Sequence, residues 1–285
     1  MRQTCGSHSH RYIHLMPPKV ALVDPVLGPL TDDLLTPDVR VLQRARGHRF
    51  SSDDVATAFV AWNARPRAVR VMDLGCGLGS VLLLLAWKMP EATLVGIEAQ
   101  APSFALVERN VRRNDLEGRV TTIHGDLRDE TLRGPLRGTF DLVTGTPPYF
   151  AEAASVGATD AQRAHARIEY RGGVEAYVAT GAELMTADGL LVLCGDARSD
   201  ARVERAANQA SLHVRATHVV VPRAGRPPLF SIWELSRSRG PSTHSTMTLR
   251  DEARAPTRDA DALRVFSGFP SLFARGNRAI SVPNG

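Results

Sequence analysis

One short segment limits the possible folds of this chain more than any other. The sequence DLGCGLG, residues 73–79, stands between a predicted strand over residues 69–73 and a predicted helix over residues 80–89. Glycine is needed in such a turn because the backbone bends sharply and must come close to a ligand. The segment therefore predicts a ligand-binding loop at the carboxyl end of a strand, with a purely structural turn as the alternative.

The rest of the chain alternates short apolar runs with amphipathic stretches. Further strands are predicted at residues 93–98, 119–124, 139–144, 190–194, 213–221 and 229–235, and helices at 102–114, 174–185 and 201–211. Strands that alternate with helices form parallel sheets covered on both faces. No helix separates the last two strands, so one antiparallel strand is expected there. The predicted fold is α/β and Rossmann-like, a mostly parallel seven-stranded sheet with one antiparallel strand and helices on both faces.

The two ends of the chain differ in composition from this middle part. We expect residues 1–35 to be a poorly ordered N-terminal lead-in and residues 36–236 to form the folded domain. Residues 237–285 are rich in Arg, Ser and Pro. They predict a basic, partly disordered tail with order around residues 260–266.

Charge is unevenly distributed along the chain. Residues 1–50 carry 7 basic and 4 acidic side chains, residues 51–235 carry 20 and 22, and residues 236–285 carry 8 and 4. Only two of the 35 cations are lysines. Arginine-rich flanks permit a polyanionic partner such as a nucleic acid, but a genome that favours arginine codons explains them as well.

Composition also excludes several classes of protein. The sequence has no run of about 18 uncharged apolar residues, so no membrane-spanning helix is predicted. Its three cysteines are widely spaced and form no CxxC pair, so neither a disulfide framework nor a zinc site is expected. We therefore expect a cytoplasmic protein without a metal or a membrane contact, acting as a monomer.

Two further acids follow the next two predicted strands. Glu98 ends the second strand, where a carboxylate can accept hydrogen bonds from both hydroxyls of a ribose. Asp126 follows the third strand, where it can bind an adenine amino group. Each acid taken alone also fits a solvated strand end. Together with the glycine loop they mark a crevice along the carboxyl ends of consecutive strands, where open α/β sheets bind ligands.

In this order of motifs, over roughly residues 50–235, the chain resembles the class I S-adenosylmethionine-dependent methyltransferases. The resemblance implies S-adenosylmethionine as the cofactor. It also implies that Glu98 would hold the ribose and that Asp126 would hold the adenine. The residues that would line the methionine part of the cofactor are Asp73, Gly75, Gly77 and Gly79.

The turn after the fourth strand, GTPPYF, resembles the (N/D)PP(Y/F) motif of methyltransferases that alkylate a planar, weakly basic nitrogen. Such an amine needs acceptors that draw on its hydrogens in the transition state. The resemblance assigns this role to Thr146 and the carbonyl of Pro147, and it places the ring of Tyr149 on the flat target. Pro148 and Phe150 complete the substrate-binding turn. Thr146 departs from the motif, because a hydroxyl is shorter and less polarising than an amide or a carboxylate.

Further segments resemble the bacterial tRNA(Val) adenine-N6 methyltransferase family. The sequence GHRFSSDD precedes an apolar helix, and the resemblance makes Ser52 and Asp53 candidates for closing over the methionine end of the cofactor. Arg163 and Arg167 lie in a segment similar to that family's arginine-bearing loop, although a solvated arginine face explains them too. The sequence PPLF before the last strand is also similar.

The predicted function is an S-adenosylmethionine-dependent N-methyltransferase that acts on an exocyclic amine of a base in structured RNA. Adenine N6 in tRNA is the best single hypothesis. A protein glutamine amide (N5) or guanine N2 is the alternative target of the same turn. Because Thr146 replaces the usual acceptor, a catalytically impaired cofactor-binding module that binds RNA or a partner is a further hypothesis. An NAD-dependent oxidoreductase uses a similar glycine turn, but no hydride-transfer residues are identified.

Overall fold

The protein consists of alternating strands and helices, and a computed structural model describes residues 20–149 and 173–274. In chain order the strands are β1 (Leu22–Asp24), β2 (Gly28–Leu34), β3 (Arg40–Arg44), β4 (Arg70–Leu74), β5 (Thr93–Glu98), β6 (Val120–His124), β7 (Phe140–Gly145), β8 (Met185–Gly195), β9 (His213–Val221), β10 (Phe230–Ser236) and β11 (Thr243–Thr248). The helices are α1 (Ser52–Ala64), α2 (Ser80–Lys88), α3 (Ala101–Arg113), α4 (Glu130–Arg133), α5 (Val174–Leu184), α6 (Asp200–Gln209) and α7 (Arg258–Phe266).

Eight strands form the main sheet, in the order β11-β9-β10-β8-β7-β4-β5-β6. From β8 to β6 all neighbours are parallel, whereas β10 is antiparallel to both β8 and β9. This arrangement confirms the predicted mostly parallel α/β sheet with its antiparallel strand. The sheet has one strand more than predicted, because β11 pairs in parallel with β9 at the edge.

The limits of the main elements agree with the prediction within a few residues, with one exception. β8 begins at Met185, directly after α5, rather than at residue 190. Met185 already has the extended backbone angles φ −75° and ψ 147°. The Asp188-Gly189 pair, a sequence typical of the end of a helix, therefore lies inside the first part of this strand.

Two apolar layers cover the two faces of the sheet. On one face α2 is buried from Ser80 to Ala86, which explains why its sequence has no polar side. On the other face α5 and α6 pack against the sheet, and Trp233 and Phe140 are the largest fully buried side chains of that layer. Strands buried on both faces have continuous apolar sequences, as β8 does at residues 190–194.

The chain before α1 forms a second, three-stranded antiparallel sheet, β1-β2-β3. The expectation of poor order is therefore wrong for residues 22–34. These strands are stable because Leu30 and Val41 are fully buried in the main core. The side-chain amide of Asn110 on α3 also fixes β3, since it accepts the N–H of Leu42 at 2.7 Å and donates to its carbonyl at 3.1 Å.

The chain after residue 236 also differs from the expected tail. It contains β11, and α7 matches the order predicted around residues 260–266. The Phe266 ring lies 5.5 Å from that of Phe59, and the ammonium of Lys88 lies 4.9 Å from the Phe266 centroid. This aromatic contact holds the described tail on the domain. Among the described helices, none has the length and apolar character needed to cross a membrane.

Candidate active site

The loop between β4 and α2 turns through three glycines with positive φ angles. These are +61° at Gly75, +59° at Gly77 and +95° at Gly79, the N-cap of α2. A Cβ added at Gly75 would lie 2.2 Å from the hydroxyl of Tyr177, whereas one at Gly77 would meet no atom of the described residues within 4 Å. Gly75 is thus packed against the protein. Gly77 faces open space, where a ligand can approach the backbone.

Asp73 is the second-last residue of β4, the strand before this loop, and is 2% exposed. Its Oδ1 accepts a hydrogen bond from the hydroxyl of Thr144 at 2.8 Å. Burial, reinforced by the negative charge of Glu98, raises the pKa of Asp73 to about 7, although the Thr144 hydrogen bond opposes this shift. Asp73 forms no ion pair within the described part of the chain. A buried carboxyl group without a cationic partner suits a cationic group of a ligand.

Glu98 holds the glycine loop from the neighbouring strand. Its Oε2 accepts the N–H of Gly77 at 2.9 Å, and its Oε1 accepts the N–H of Gln100 at 2.6 Å. Glu98 is 5% exposed. A carboxylate has about four lone-pair sites, so one such group can accept several hydrogen bonds, those of ribose hydroxyls included.

Asp126 follows β6, where the sequence placed it, but its carboxylate has a cationic neighbour. Oδ1 of Asp126 lies 2.9 Å from Nε of Arg128, and Oδ2 lies 2.8 Å from Nη2. Both side chains are partly exposed. An adenine amino group would therefore share this carboxylate with Arg128 or displace it.

The first turn of α1 contacts the turn after β7. Ser52 is the first residue of α1 and is partly buried. The hydroxyl of Tyr149 donates to Oδ2 of Asp53 at 2.8 Å and lies 3.1 Å from Sγ of Cys194 on β8. The structure thus brings together Asp53 and Tyr149, which the sequence assigned to different parts of the site. Cys194, which the sequence suggested only as a strand residue, takes part in the same contact.

Asp54 adds a further acid that sequence reasoning did not assign to the site. It is buried and accepts the N–H of the N-cap residue Ser51 at 2.9 Å. Burial and the negative charge of Asp53 raise the pKa of Asp54 well above its ordinary value, with a smaller contribution from Asp73. Asp53, Asp54 and Asp73 form one acidic cluster beside the glycine loop.

The predicted catalytic turn lies directly at the carboxyl end of β7. Pro147 is buried, and Thr146, Pro148 and Tyr149 are half-buried. The hydroxyl of Thr146 forms no hydrogen bond with any described residue, so it is available as an acceptor. Tyr149 packs against the apolar core on the α1 side of the sheet. The other predicted substrate-binding residues lie outside the described residues, namely Phe150, Arg163 and Arg167.

Tyr177 on α5 is a site residue that the sequence did not predict. It is 7% exposed, its hydroxyl touches Gly75, and its ring contacts Gly145 at the end of β7. Burial, together with the negative charges of Glu98 and Asp73, raises the pKa of Tyr177, so the hydroxyl stays neutral. No described residue forms a hydrogen bond with this hydroxyl. A tyrosine on an amphipathic helix has no local pattern that separates it from a core residue.

The side chains in this crevice fit one ligand class well. Asp73 suits a cationic group, Glu98 suits ribose hydroxyls, and Gly77 leaves space for close approach. S-adenosylmethionine has the cationic groups, a sulfonium and an ammonium, and it also has the ribose. The crevice lies at the carboxyl edge of a mostly parallel sheet, where such folds bind nucleotides. Fold and site together fit a class I S-adenosylmethionine-dependent methyltransferase.

Comparison with known proteins gives the same assignment. Residues 47–180 match the family model described as the methyltransferase small domain. A protein of Yersinia pestis (strain Pestoides F) named tRNA1(Val) (adenine(37)-N6)-methyltransferase is 28% identical over 193 residues, which cover 67% of this chain and 75% of that protein. A protein of the same name from Yersinia pseudotuberculosis serotype IB (strain PB1/+) is also 28% identical over 193 residues, 67% of this chain and 74% of its own length. These matches, together with the fold, support an S-adenosylmethionine-dependent methyltransferase that is similar to the methyltransferase small domain over residues 47–180. The hypothesis of an NAD-dependent oxidoreductase is therefore wrong.

Solved structures agree on the fold. A protein from Agrobacterium tumefaciens described as a predicted O-methyltransferase superposes with a TM-score of 0.59 at 20% identity, over 75% of this chain and 97% of that one. Pyrococcus horikoshii TYW2 in complex with MeSAdo superposes with a TM-score of 0.51 at 15% identity, over 73% of this chain and 72% of that one. At these identities the likeness concerns the architecture alone.

Proposed function

We propose that this enzyme methylates the exocyclic N6 amine of an adenine in RNA, with tRNA as the substrate class. One observation carries the proposal. The Thr146–Tyr149 turn lies at the carboxyl end of β7, whose Thr144 pairs in register with Asp73 of β4, and the Tyr149 hydroxyl is held by Asp53 at 2.8 Å. The relatives from Yersinia support it, since their names specify N6 of adenine 37 in tRNA1(Val).

We assign the cofactor to the crevice at the carboxyl ends of β4, β5 and β6. S-adenosylmethionine supplies an electrophilic methyl group on its sulfonium. Glu98 holds the ribose, Asp126 holds the adenine, and Ser52 and Asp53 close over the methionine end. The methionine part contacts a set of residues from the glycine loop and its preceding strand, Asp73, Gly75, Gly77 and Gly79.

The amine of the target base is activated by acceptors, not by a strong base. The carbonyl of Pro147 and the hydroxyl of Thr146 accept hydrogen bonds from its two N–H groups. These bonds raise the electron density on nitrogen as the new N–C bond forms and the methyl carbon leaves the sulfonium sulfur, which keeps the electron pair of the broken C–S bond. Both acceptors belong to a turn stiffened by two prolines, so little ordering is needed when the base arrives. The proton released after transfer passes to water.

The target base must leave its stack to reach this turn. The rings of Tyr149 and Phe150 then stack on it, and base–aromatic stacking contributes about 1–3 kcal/mol per base. Pro148 shapes the turn, while Arg163 and Arg167 bind phosphates of the same RNA. We infer that one chain suffices for this reaction, so the enzyme acts as a monomer.

The proposal is tested by transfer of radiolabelled methyl from S-adenosylmethionine to bulk tRNA and, separately, to bulk protein. Label in tRNA that digests to N6-methyladenosine is the expected result. N2-methylguanosine would move the target to guanine, and label in protein would favour a glutamine amide. A protein that binds the cofactor but labels neither pool would contradict the proposal.

A further inference from the structure

At the carboxyl ends of the strands beyond β8 lies an arginine-rich surface. It is outside residues 47–180, which match the methyltransferase small domain. β9 runs parallel to β8, and β11 runs parallel to β9, so both end at the same edge as β7. The loops that follow β9 and β11 therefore emerge on the side of the crevice. Their arginines, here called the arginine platform, are Arg223, Arg226, Arg250 and Arg254.

The two loops are joined into one unit by backbone hydrogen bonds. The N–H of Ala224 donates to the carbonyl of Arg250 at 2.8 Å, and that of Leu249 donates to the carbonyl of Val221 at 2.9 Å. The guanidinium of Arg250 donates to the carbonyl of Arg254 at 2.7 Å. These bonds fix the backbone that carries the four arginines, which lowers the ordering cost when a ligand binds.

The platform arginines have no acidic partner within the described residues. Arginines elsewhere do, as Arg109 does with Asp24 at 2.5 Å and Arg202 with Glu175 at 2.7 Å. The platform loop contains two acids of its own. Asp251 accepts the N–H of Ala255 at 2.8 Å, and Glu252 is exposed, so the four arginines leave a positive excess.

The platform also lies close to the catalytic turn. The Tyr149 hydroxyl is 3.1 Å from Sγ of Cys194, which pairs in register with Ile232 of β10. The loop that carries Arg226 ends two residues before Ile232, at Phe230. β9 is two strand spacings from β8, which is about 10 Å, and β11 is three spacings from it, which is about 15 Å. A strand of nucleic acid that inserts a base at the turn therefore has its neighbouring phosphates within reach of the platform.

We propose that the arginine platform binds the phosphate backbone of the RNA next to the methylated base. This inference rests on the proposed function, because it needs RNA as the substrate. Guanidinium groups form paired hydrogen bonds with phosphate oxygens, and such contacts set position without reading sequence. The platform thus fixes the register of the RNA, while the turn after β7 selects the base.

The test compares two double variants of the full chain that lose equal charge. Arg226→Gln with Arg254→Gln removes two platform arginines. Arg67→Gln with Arg239→Gln removes two exposed arginines, also without a described acidic partner, at the opposite edge of the sheet. Binding of fluorescein-labelled bulk tRNA is measured by anisotropy between about 50 and 200 mM KCl, alongside methyl transfer.

The platform variant should raise the Kd for tRNA about tenfold at 100 mM KCl and lower the slope of log Kd against log salt by about 1.4–1.8. Its affinity for S-adenosylmethionine and its melting temperature should stay unchanged. The control variant should change the Kd less than about twofold. If the two double variants weakened tRNA binding equally, or if neither weakened it, the proposal that the platform binds RNA would be wrong.

Failure of the proposed function gives a different result. If the wild-type protein binds tRNA through the platform but transfers no methyl to it, the platform stands and the proposed reaction is wrong. If the wild-type protein methylates tRNA and the platform variant keeps its KM for tRNA, the reaction stands and the platform is wrong. If the platform bound polyglutamate and not tRNA, the assignment of RNA as the ligand of the platform would be wrong.

Discussion

The hydroxyl of Tyr149 donates a hydrogen bond of 2.8 Å to Oδ2 of Asp53, which is 96 residues away in the sequence. The bond joins the turn after β7 to the first turn of α1. Tyr149 is therefore held at its far end, while its ring remains half-buried at the crevice. Tyr149, which is expected to contact the substrate, therefore also anchors the turn after β7.

Tyr149→Phe should separate these two roles. It keeps the ring but removes the hydroxyl, so the free energy of unfolding should fall by about 1 kcal/mol. Looser positioning of the turn should lower kcat about three- to tenfold and leave the affinity for S-adenosylmethionine unchanged. Tyr149→Ala, which also removes the ring, should lower kcat further. Steady-state kinetics and thermal unfolding check both, and a fully active, equally stable Tyr149→Phe enzyme would contradict the anchoring role.

The affinity for S-adenosylmethionine should depend on pH through Asp73, whose pKa is raised to about 7. A cationic ligand prefers the ionised carboxylate, so affinity should rise as pH increases from about 6 to 8. In Asp73→Asn the affinity should be lower, and the part of its pH dependence that is due to Asp73 should be lost. Calorimetric titrations at several pH values decide the matter, and parallel pH profiles for the two proteins would count against this role of Asp73.

The stability of the ligand-free protein should show the opposite trend. A carboxyl group whose pKa is raised in the folded state binds more protons there than in the unfolded chain, from about pH 4 to 7. Asp73 and Asp54 both shift in this direction. The free energy of unfolding should therefore fall as pH rises through this range, and Asp73→Asn should reduce the slope. Urea unfolding at pH 5 and pH 7.5 measures the free energy of unfolding at both ends of this range. A wild-type protein that is more stable at pH 7.5 would argue against the raised pKa values of Asp73 and Asp54.

Alanine at two glycines should have different consequences. Gly75 and Gly77 have nearly equal φ angles, but only at Gly75 does an added Cβ meet Tyr177, at 2.2 Å. Both substitutions should lower the free energy of unfolding by about 1 kcal/mol or more, because alanine rarely adopts a positive φ angle. Gly75→Ala should cost a further 1–3 kcal/mol for the steric contact. Gly77→Ala should fold better yet bind the cofactor poorly, because its Cβ fills the open space of the crevice.

Thermal unfolding and cofactor titration distinguish the two glycine variants. Tyr177→Phe combined with Gly75→Ala supplies the control, since removal of the hydroxyl relieves the shortest contact. The double variant should regain part of the lost stability. Equal stability of Gly75→Ala and Gly77→Ala would show that Tyr177 does not constrain the loop.

Thr146→Asn should increase methyl transfer. The threonine hydroxyl has no described hydrogen-bond partner, so it can be replaced without breaking a contact within the described residues. An amide oxygen reaches further and polarises an amine more strongly, and one such hydrogen bond in the transition state changes kcat about tenfold. Thr146→Val, of the same shape without an acceptor, should lower kcat. Equal rates for all three proteins would mean that position 146 does not contact the amine.

Much of the site was predictable because its residues are close to strand ends in the sequence. Asp73, Glu98 and Asp126 each lie within two residues of the carboxyl end of a strand, and parallel strands place such positions along one edge. The glycine loop has its own local requirement, since few other residues adopt its backbone angles. The elements missed by the prediction lack local patterns. β11 has the sequence THSTMT, with no apolar alternation, and it is a strand only because β9 offers a free edge.

Local sequence patterns suffice to predict the alternation of strands and helices, the position of the glycine loop and the acids near the ends of successive strands, because these depend on local backbone geometry and on apolar periodicity. The tertiary structure alone decided that Tyr149 bonds to Asp53 and that the hydroxyl of Tyr177 lies against Gly75. It also decided that the arginines after β9 and β11 share the edge of the crevice. These relationships join residues far apart in the chain. They depend on the order in which the strands pair, and no local pattern carries that order.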